Sequence, residues 1–158
     1  MEFSIRKTLP DDVPDVVMLI REFAVFEELS DHCAVTEENL HTAMFGTAAT
    51  VEGLIALDDD GPMGYALYYP NFSSFSGQRG LYIEDIYISE RYRGGGLGLA
   101  MIKEIASIAA SRGFERIDFM VLDWNSPAIN FYRKHGALSN DDETHFKFSE
   151  QAFRDLAS

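Results

Sequence analysis

The stretch that decides the fold is Arg91-Tyr-Arg-Gly-Gly-Gly-Leu-Gly98. It follows Leu81-Tyr-Ile-Glu-Asp-Ile-Tyr-Ile88, whose aromatic and β-branched residues are typical of a buried strand. It precedes residues 99–112, in which apolar side chains recur at helical spacing. The sequence therefore predicts a strand, a glycine loop and a helix in direct succession.

A loop of this kind favours an anion. The first turn of a helix leaves backbone N–H groups without internal partners, and the helix dipole adds partial positive charge there. The glycines between positions 94 and 98 remove side chains that would block close approach and permit positive φ angles. Arg93 adds a positive charge. The loop is therefore a candidate phosphate site.

Two familiar phosphate motifs do not fit this loop. A P-loop requires a lysine after its last glycine, and neither Gly96 nor Gly98 is followed by one. A Rossmann fingerprint requires a small residue three positions after its second glycine, where this chain has Leu99 or Met101.

The loop instead resembles the pyrophosphate signature Arg/Gln-x-x-Gly-x-Gly of the GNAT superfamily of N-acetyltransferases, through Arg93, Gly96 and Gly98. Other segments resemble, in order and in spacing, the spermidine/spermine (diamine) acetyltransferases and their thialysine acetyltransferase relatives. These segments are Phe26-Glu-Glu-Leu-Ser-Asp31, Tyr82-Ile-Glu-Asp-Ile-Tyr-Ile88, Val121-Leu-Asp-Trp-Asn125 and Ile129-Asn-Phe-Tyr132. The resemblance covers nearly the whole chain and implies a single acetyltransferase domain of the GNAT fold over residues 1–158.

The predicted elements agree with an α/β fold. Strands are predicted near residues 3–7, 50–57, 64–69, 81–88, 116–122 and 145–148. Helices are predicted from Pro10, with Val13, Val16, Val17, Ile20 and Phe23 on one face, from Thr36, over residues 99–112, and over residues 126–135. The early strands pair through hairpins and the later ones through a helical crossover, which predicts a mixed, mostly antiparallel twisted sheet with helices on both faces.

The resemblance implies acetyl-CoA as co-substrate, without a metal. The pantetheine arm is polar and extended, so it can pair like an added strand with exposed backbone groups. The residues assigned to acetyl-CoA are Ile86, Tyr87, Ile88, Arg93, Gly94, Gly95, Gly96, Leu97, Gly98, Leu99, Asn125, Ser126, Pro127 and Ala128. The histidines show no metal-ligand spacing, so we expect no metal site.

Glu84 is the candidate for proton chemistry. It lies in the middle of an apolar strand beside Asp85, and the alternation of a strand predicts that the two carboxylates point to opposite faces. A buried charge needs a partner. That partner is either Arg79 or Arg116, in an ion pair, or a cationic amine substrate. The resemblance implies the second reading, with Glu84 as the catalytic glutamate.

Acetylation of an amine requires a base, because an ammonium has no lone pair for attack and an amine of pKa near 10 is mostly protonated at neutral pH. We expect Glu84 to take this proton, directly or through water, while the amine attacks acetyl-CoA in a ternary complex. The resemblance implies that Tyr132 is the general acid for the departing thiolate. The structural alternative for Tyr132 is a half-buried aromatic residue of a helix.

The substrate is expected to be a small cationic amine. By the resemblance, Phe26 and Glu27 contact it. With Glu84 as the base, we expect Asp85 to hold a distal cationic group of the substrate or to orient the site. Residues 71–77 lack the Asp-Pro-Trp of the polyamine-specific members. Residues 26–31 and 121–125 resemble the thialysine branch more than the polyamine branch. A lysine-like, ornithine-like or thialysine-like amino acid is therefore a candidate beside polyamines and diamines.

The overall charge agrees with a cationic substrate. The chain has 13 basic and 26 acidic side chains and a formal net charge of -13, which opposes binding to nucleic acid and attracts cations. General solubility is the alternative reason for this acidity. A protein or peptide acetyltransferase, and a non-catalytic acyl-CoA sensor, are the alternative functions.

The remaining features predict where the protein acts and in what form. The chain lacks an apolar run of the roughly 20 residues that a membrane span needs, and its start lacks the apolar core of a signal peptide. We therefore expect a cytoplasmic protein that does not bind membranes. The single cysteine, Cys33, excludes an internal disulfide. The resemblance implies a homodimer.

Overall fold

The computed structural model describes residues 2–140 and 142–158, and it divides them into two units between Met120 and Val121. The first unit contains β1 (Ser4–Lys7), α1 (Val13–Phe26), α2 (Glu37–Phe45), β2 (Glu52–Asp58), β3 (Gly61–Ser73), β4 (Gln78–Ile88), α3 (Leu97–Ser111) and β5 (Arg116–Phe119). The second unit contains α4 (Ser126–Lys134) and α5 (Glu150–Ala157). A single domain over residues 1–158 stays a prediction.

The sheet has five strands whose spatial order follows their order in the chain. The pairs from β1 to β4 are antiparallel, whereas β5 pairs with β4 in parallel. A parallel neighbour requires a crossover, and α3 supplies it between β4 and β5. The predicted mixed, mostly antiparallel sheet is confirmed.

Helices cover both faces of this sheet. On one face, α1 and α2 form a core with the sheet, to which Leu19 and the fully buried Tyr65 contribute. On the other face, α3 places Met101 against residues such as Leu81. Neighbouring strand residues point to opposite faces, so each strand supplies both cores. The predicted arrangement of helices on both faces is therefore confirmed.

The helix that follows the glycine loop, α3, begins at Leu97, earlier than the predicted start at Leu99. Gly96 precedes the helix with a φ of 84°, in the left-handed region that favours glycine. This backbone conformation allows the chain to turn from the loop directly into the helix. Leu97 can then be buried in the core as the first helical residue.

Two predictions for the later strands are wrong. The strand predicted over 116–122 ends at Phe119, because its pairing with β4 stops at Ile83, immediately before an irregularity in β4. Residues 145–148 form no strand, and the sequence reading missed α5 after them. Side-chain bonds one helical turn apart, such as Gln151 to Asp155, support this short helix.

The helices of the described residues are also informative about membranes. Within residues 2–140 and 142–158, none combines the length and the apolar character needed to cross a bilayer. The cytoplasmic location and the homodimer stay predictions.

Candidate active site

A β-bulge in β4 builds the centre of the candidate site. Leu67 of β3 pairs with Asp85, and the next β3 residue, Tyr68, pairs with Ile83. Glu84 is therefore the extra residue of a bulge, at which the regular alternation of side chains is interrupted.

The bulge places both carboxylates on one face of the sheet. Tyr65 donates a hydrogen bond to Asp85 Oδ2 at 3.2 Å, and Tyr69 donates one to Glu84 Oε2 at 3.1 Å. Tyr65 and Tyr69 are an even number of residues apart in β3 and share the face that α1 covers. The prediction that Glu84 and Asp85 point to opposite faces is wrong, because it assumed an unbroken alternation.

Glu84 is solvent-exposed and makes no ion pair with a residue that the structure describes. The two arginines considered as its partners are engaged elsewhere. Arg116 pairs with Asp118 at 2.6 Å, and the Arg79 guanidinium lies 4.6 Å from the centre of the Phe114 ring. The structural explanation for Glu84 therefore finds no support.

Asp85 lies in a more confined environment. The pKa of Asp85 is raised to about 6. Burial is the main cause and the charge of Glu84 adds to it, whereas the hydrogen bond from Tyr65 acts in the opposite direction. Glu27 follows the last residue of α1, and burial together with the charge of Asp85 raises its pKa. We call Glu27, Glu84 and Asp85 the carboxylate face. Its negative charges are crowded, which favours a bound cation.

The glycine loop leaves its backbone accessible. Gly94 and Gly96 have φ angles of 81° and 84°, and a Cβ atom built at either position would meet nothing within 4 Å. Gly96 precedes α3 and has no side chain to cap its first amides. The loop therefore offers open space over backbone N–H groups at the start of a long helix, which fits a pyrophosphate.

Arg93 links this loop to the end of α1. Its Nε donates a hydrogen bond to the carbonyl oxygen of Ile88 at 2.9 Å. Its guanidinium lies 4.3 Å from the ring centre of Phe26 and 5.3 Å from that of Tyr87. The structure thus brings together a residue assigned to the cofactor and one assigned to the substrate through a cation–π contact.

The strand residues assigned to acetyl-CoA pair with β3 but lie beyond the part of β4 that pairs with β5. The parallel pairing with β5 covers residues 80–83, whereas β4 continues to Ile88. Ile86 and Tyr87 therefore lie where β4 has left β5, and their backbone on that side is placed to accept an extended ligand. The Tyr87 hydroxyl donates to Glu22 at 3.0 Å.

The second unit contains the remaining assigned residues. Asn125 precedes α4 and its side chain accepts a hydrogen bond from the backbone N–H of Ala128 at 3.3 Å, so it caps the helix. Ser126 and Pro127 form the first turn, as predicted for a helix start. Tyr132 lies within α4 in edge contact with Phe131, and burial raises the pKa of Tyr132 to about 12.

Sequence reasoning missed the tyrosines that contact the carboxylates. Tyr65 and Tyr69 occur with even spacing in β3, so they belong to one face of a strand. Their carboxylate partners depend on the register of β3 against β4 and on the bulge at Glu84. Only the even spacing was visible in the sequence.

The described residues also bear on metals. Within residues 2–140 and 142–158, no group of three or more His, Cys, Asp or Glu side chains is arranged to hold a metal ion.

Comparisons with known proteins point in one direction. The Acetyltransferase (GNAT) family profile matches residues 18–137. Thialysine N-epsilon-acetyltransferase of Bos taurus is 37% identical over 164 residues, which cover 97% of this chain and 96% of that protein. L-ornithine N5-acetyltransferase NATA1 of Arabidopsis thaliana is 31% identical over 178 residues, covering 84% of this chain and 78% of that protein.

A solved structure supports the same fold. The integron cassette protein VCH_CASS6 of V. cholerae superposes with a TM-score of 0.80 at 25% identity. The superposition covers 99% of this chain and 98% of the other. The likeness therefore extends over the sheet, the glycine loop and the later helices.

Proposed function

Since the chain belongs to the acetyltransferase (GNAT) family, we propose that this acetyl-CoA-dependent N-acetyltransferase acts on a primary amine of a small acceptor that carries a second positive charge. Amino acids with a side-chain amine meet this description, as do diamines and polyamines. Thialysine and ornithine, which are named in two relatives, are amino acids of this kind.

The observation that carries the proposal is the carboxylate face. The bulge gives Glu84 and Asp85 the same face of the sheet, and the charge of Asp85 acts on Glu27 at the end of α1. A single amine needs one carboxylate to accept its proton. The further carboxylates are suited to an acceptor with another ammonium group, because each opposite charge stabilises the ionised form of the other.

The glycine loop and the part of β4 that lies beyond its pairing with β5 fit acetyl-CoA. The backbone of residues 94–99 would hold the pyrophosphate at the start of α3, and the backbone of residues 86–88 would hold the pantetheine arm. Arg93 would add positive charge beside the loop. Asn125 and the first helical residues of α4, Ser126 to Ala128, would line the arm. When bound, acetyl-CoA supplies the acetyl thioester that the amine attacks.

Glu84 acts as the base in this proposal. Its exposed carboxylate accepts a proton from the incoming ammonium, directly or through water, and the Tyr69 hydroxyl steadies it. The freed lone pair of the amine then attacks the acetyl carbonyl directly in the ternary complex. Asp85 and Glu27 hold the second cation, so that the reacting amine is oriented.

Tyr132 acts as the acid. With a pKa of about 12, its hydroxyl is protonated throughout the neutral range and is able to donate. Its proton passes to the thiolate as the bond between sulfur and the acetyl carbon breaks.

The experiment that tests the proposal is a coenzyme A release assay with purified protein and acetyl-CoA. The acceptor panel contains thialysine, ornithine, lysine, putrescine, spermidine and a basic peptide. We expect turnover with the small acceptors and little with the peptide. Turnover with the peptide alone would replace the proposal with protein acetylation, and acetyl-CoA binding without any turnover would favour a sensor.

A further inference from the structure

The hydroxyl of Tyr65 contacts the carboxylate face from within the core of the protein. We propose that Tyr65 is a positioning residue that gives the site its preference for acceptors with a second positive charge, by holding Asp85 through a hydrogen bond. The inference rests on the proposed function, since it concerns how the same site selects its acceptor.

The position of the Tyr65 hydroxyl is fixed by packing. Tyr65 has no exposed surface and lies in the core between the sheet and α1. Its strand pairs with β4 in a register that places Leu67 opposite Asp85. From this position the hydroxyl donates to Asp85 Oδ2 at 3.2 Å. The donor therefore cannot follow Asp85 if the carboxylate rotates away, and it favours one orientation.

The charges around Asp85 make this hydrogen bond important. Glu84 of the same strand and Glu27 at the end of α1 both bring negative charge, and Cys33 acts electrostatically on Tyr65. Burial and Glu84 raise the pKa of Asp85, whereas the Tyr65 hydrogen bond lowers it. Without Tyr65 the pKa of Asp85 would rise, and a larger fraction of Asp85 would be neutral near pH 7.

A neutral Asp85 affects only some acceptors. It no longer attracts the second ammonium of a diamine or the α-ammonium of an amino acid, but a monoamine has no such group. Loss of the Tyr65 hydroxyl should therefore weaken acceptors with two charges selectively. A purely structural role would weaken both kinds of acceptor together.

The chain offers a matched control for the experiment. Tyr68 is also completely buried in β3, but it lies in the core on the opposite face of the sheet. Its hydroxyl finds no hydrogen-bond partner among the described residues. Tyr65→Phe and Tyr68→Phe thus remove the same atom from the same strand, and only the first removes a hydrogen bond to Asp85.

The test measures the binding of 1,5-diaminopentane and 1-aminopentane to each protein by calorimetry, with coenzyme A present, between pH 5.5 and 8.5. Tyr65→Phe should reduce the preference for the diamine about tenfold at pH 7. It should also move the pH at which diamine binding is lost to a higher value. Tyr68→Phe should match the wild type in both respects.

Several outcomes would overturn the inference. These are a wild type without preference for the diamine, an equal loss for both amines in Tyr65→Phe, and an unmoved pH dependence. If Tyr65→Phe does not fold, Asp85→Asn decides, because a preference that survives this substitution also overturns the inference. Selective diamine binding without coenzyme A release in the parallel assay would instead refute the proposed function alone.

Discussion

The glycine loop and the carboxylate face are built in opposite ways. The loop offers backbone groups from one continuous stretch, residues 93–99, and these groups are accessible because Gly94 and Gly96 have no side chains. The carboxylate face offers side chains from the end of α1 and from β4, and it depends on strand register and on the bulge at Glu84. A site made from backbone is local in sequence, whereas one made from side chains is assembled by the fold.

The largest effect that this comparison predicts is that of a side chain placed in the loop. Gly96→Val should lower acetyl-CoA affinity by at least about 100-fold, because the added atoms occupy the open space over the amides and a β-branched residue resists the φ of 84°. Calorimetric titration with acetyl-CoA measures the loss. Gly113→Val is the control, since Gly113 also has a positive φ, of 70°, and open surroundings but lies after α3. Equal losses in both variants would assign the effect to strain.

On the carboxylate face, we expect the largest loss of turnover from a change of the Glu84 side chain. Glu84→Gln keeps the size and removes the base, so kcat should fall about 100-fold while acetyl-CoA affinity is retained. Steady-state kinetics between pH 6 and 9 with the best acceptor measure this. Asp118→Asn is a control, because Asp118 lies in the neighbouring strand β5 and forms an ion pair with Arg116 of the same strand. Unchanged turnover in Glu84→Gln across the pH range would remove Glu84 from the role of base.

Tyr132 extends the comparison to the second unit. Tyr132→Phe should slow turnover about tenfold, which corresponds to about 1.4 kcal/mol of transition-state stabilisation. Because burial raises the pKa of Tyr132 to about 12, its ionisation should cause no loss of activity up to pH 9. Comparison of kcat with the dissociation constant of acetyl-CoA separates the roles. A large loss of affinity at unchanged turnover would make Tyr132 a binding residue.

The smallest effect is expected where only backbone is used. Ile86→Val keeps the strand geometry, so acetyl-CoA affinity should change by no more than about twofold. Since Ile86 packs partly against the core, thermal unfolding monitors the separate effect on stability. A large loss of affinity with unchanged stability would show that the side chain at this position contacts the cofactor, and the contrast between the two regions would fail for β4.

Sequence reasoning worked best where the signal is local. The glycine loop, the strand before it and the helix after it were predicted from composition and spacing, and the helix begins two residues earlier than predicted, directly after Gly96 with its positive φ. The mixed sheet followed from the order of elements. By contrast, the strand predicted at residues 145–148 rested on a short pattern without a partner strand, and the structure contains none there.

The candidate site divides along the same line. The sequence identified Glu84 as an acidic residue within an apolar strand and Arg93 as part of the loop motif. It did not predict which residues these two side chains contact. The hydrogen bonds from Tyr65 and Tyr69, and the contact of Arg93 with Phe26, join residues that are far apart in the chain. Such contacts are set by register and packing, which a single sequence does not display.

The sequence by itself determined the glycine loop, its flanking strand and helix, the acidic character of the chain and the presence of adjacent carboxylates at positions 84 and 85. The tertiary structure decided that these carboxylates share one face. The physical reason is the bulge: one extra residue in β4 interrupts the alternation of side chains, and the bulge is defined only by the pairing of β4 with β3.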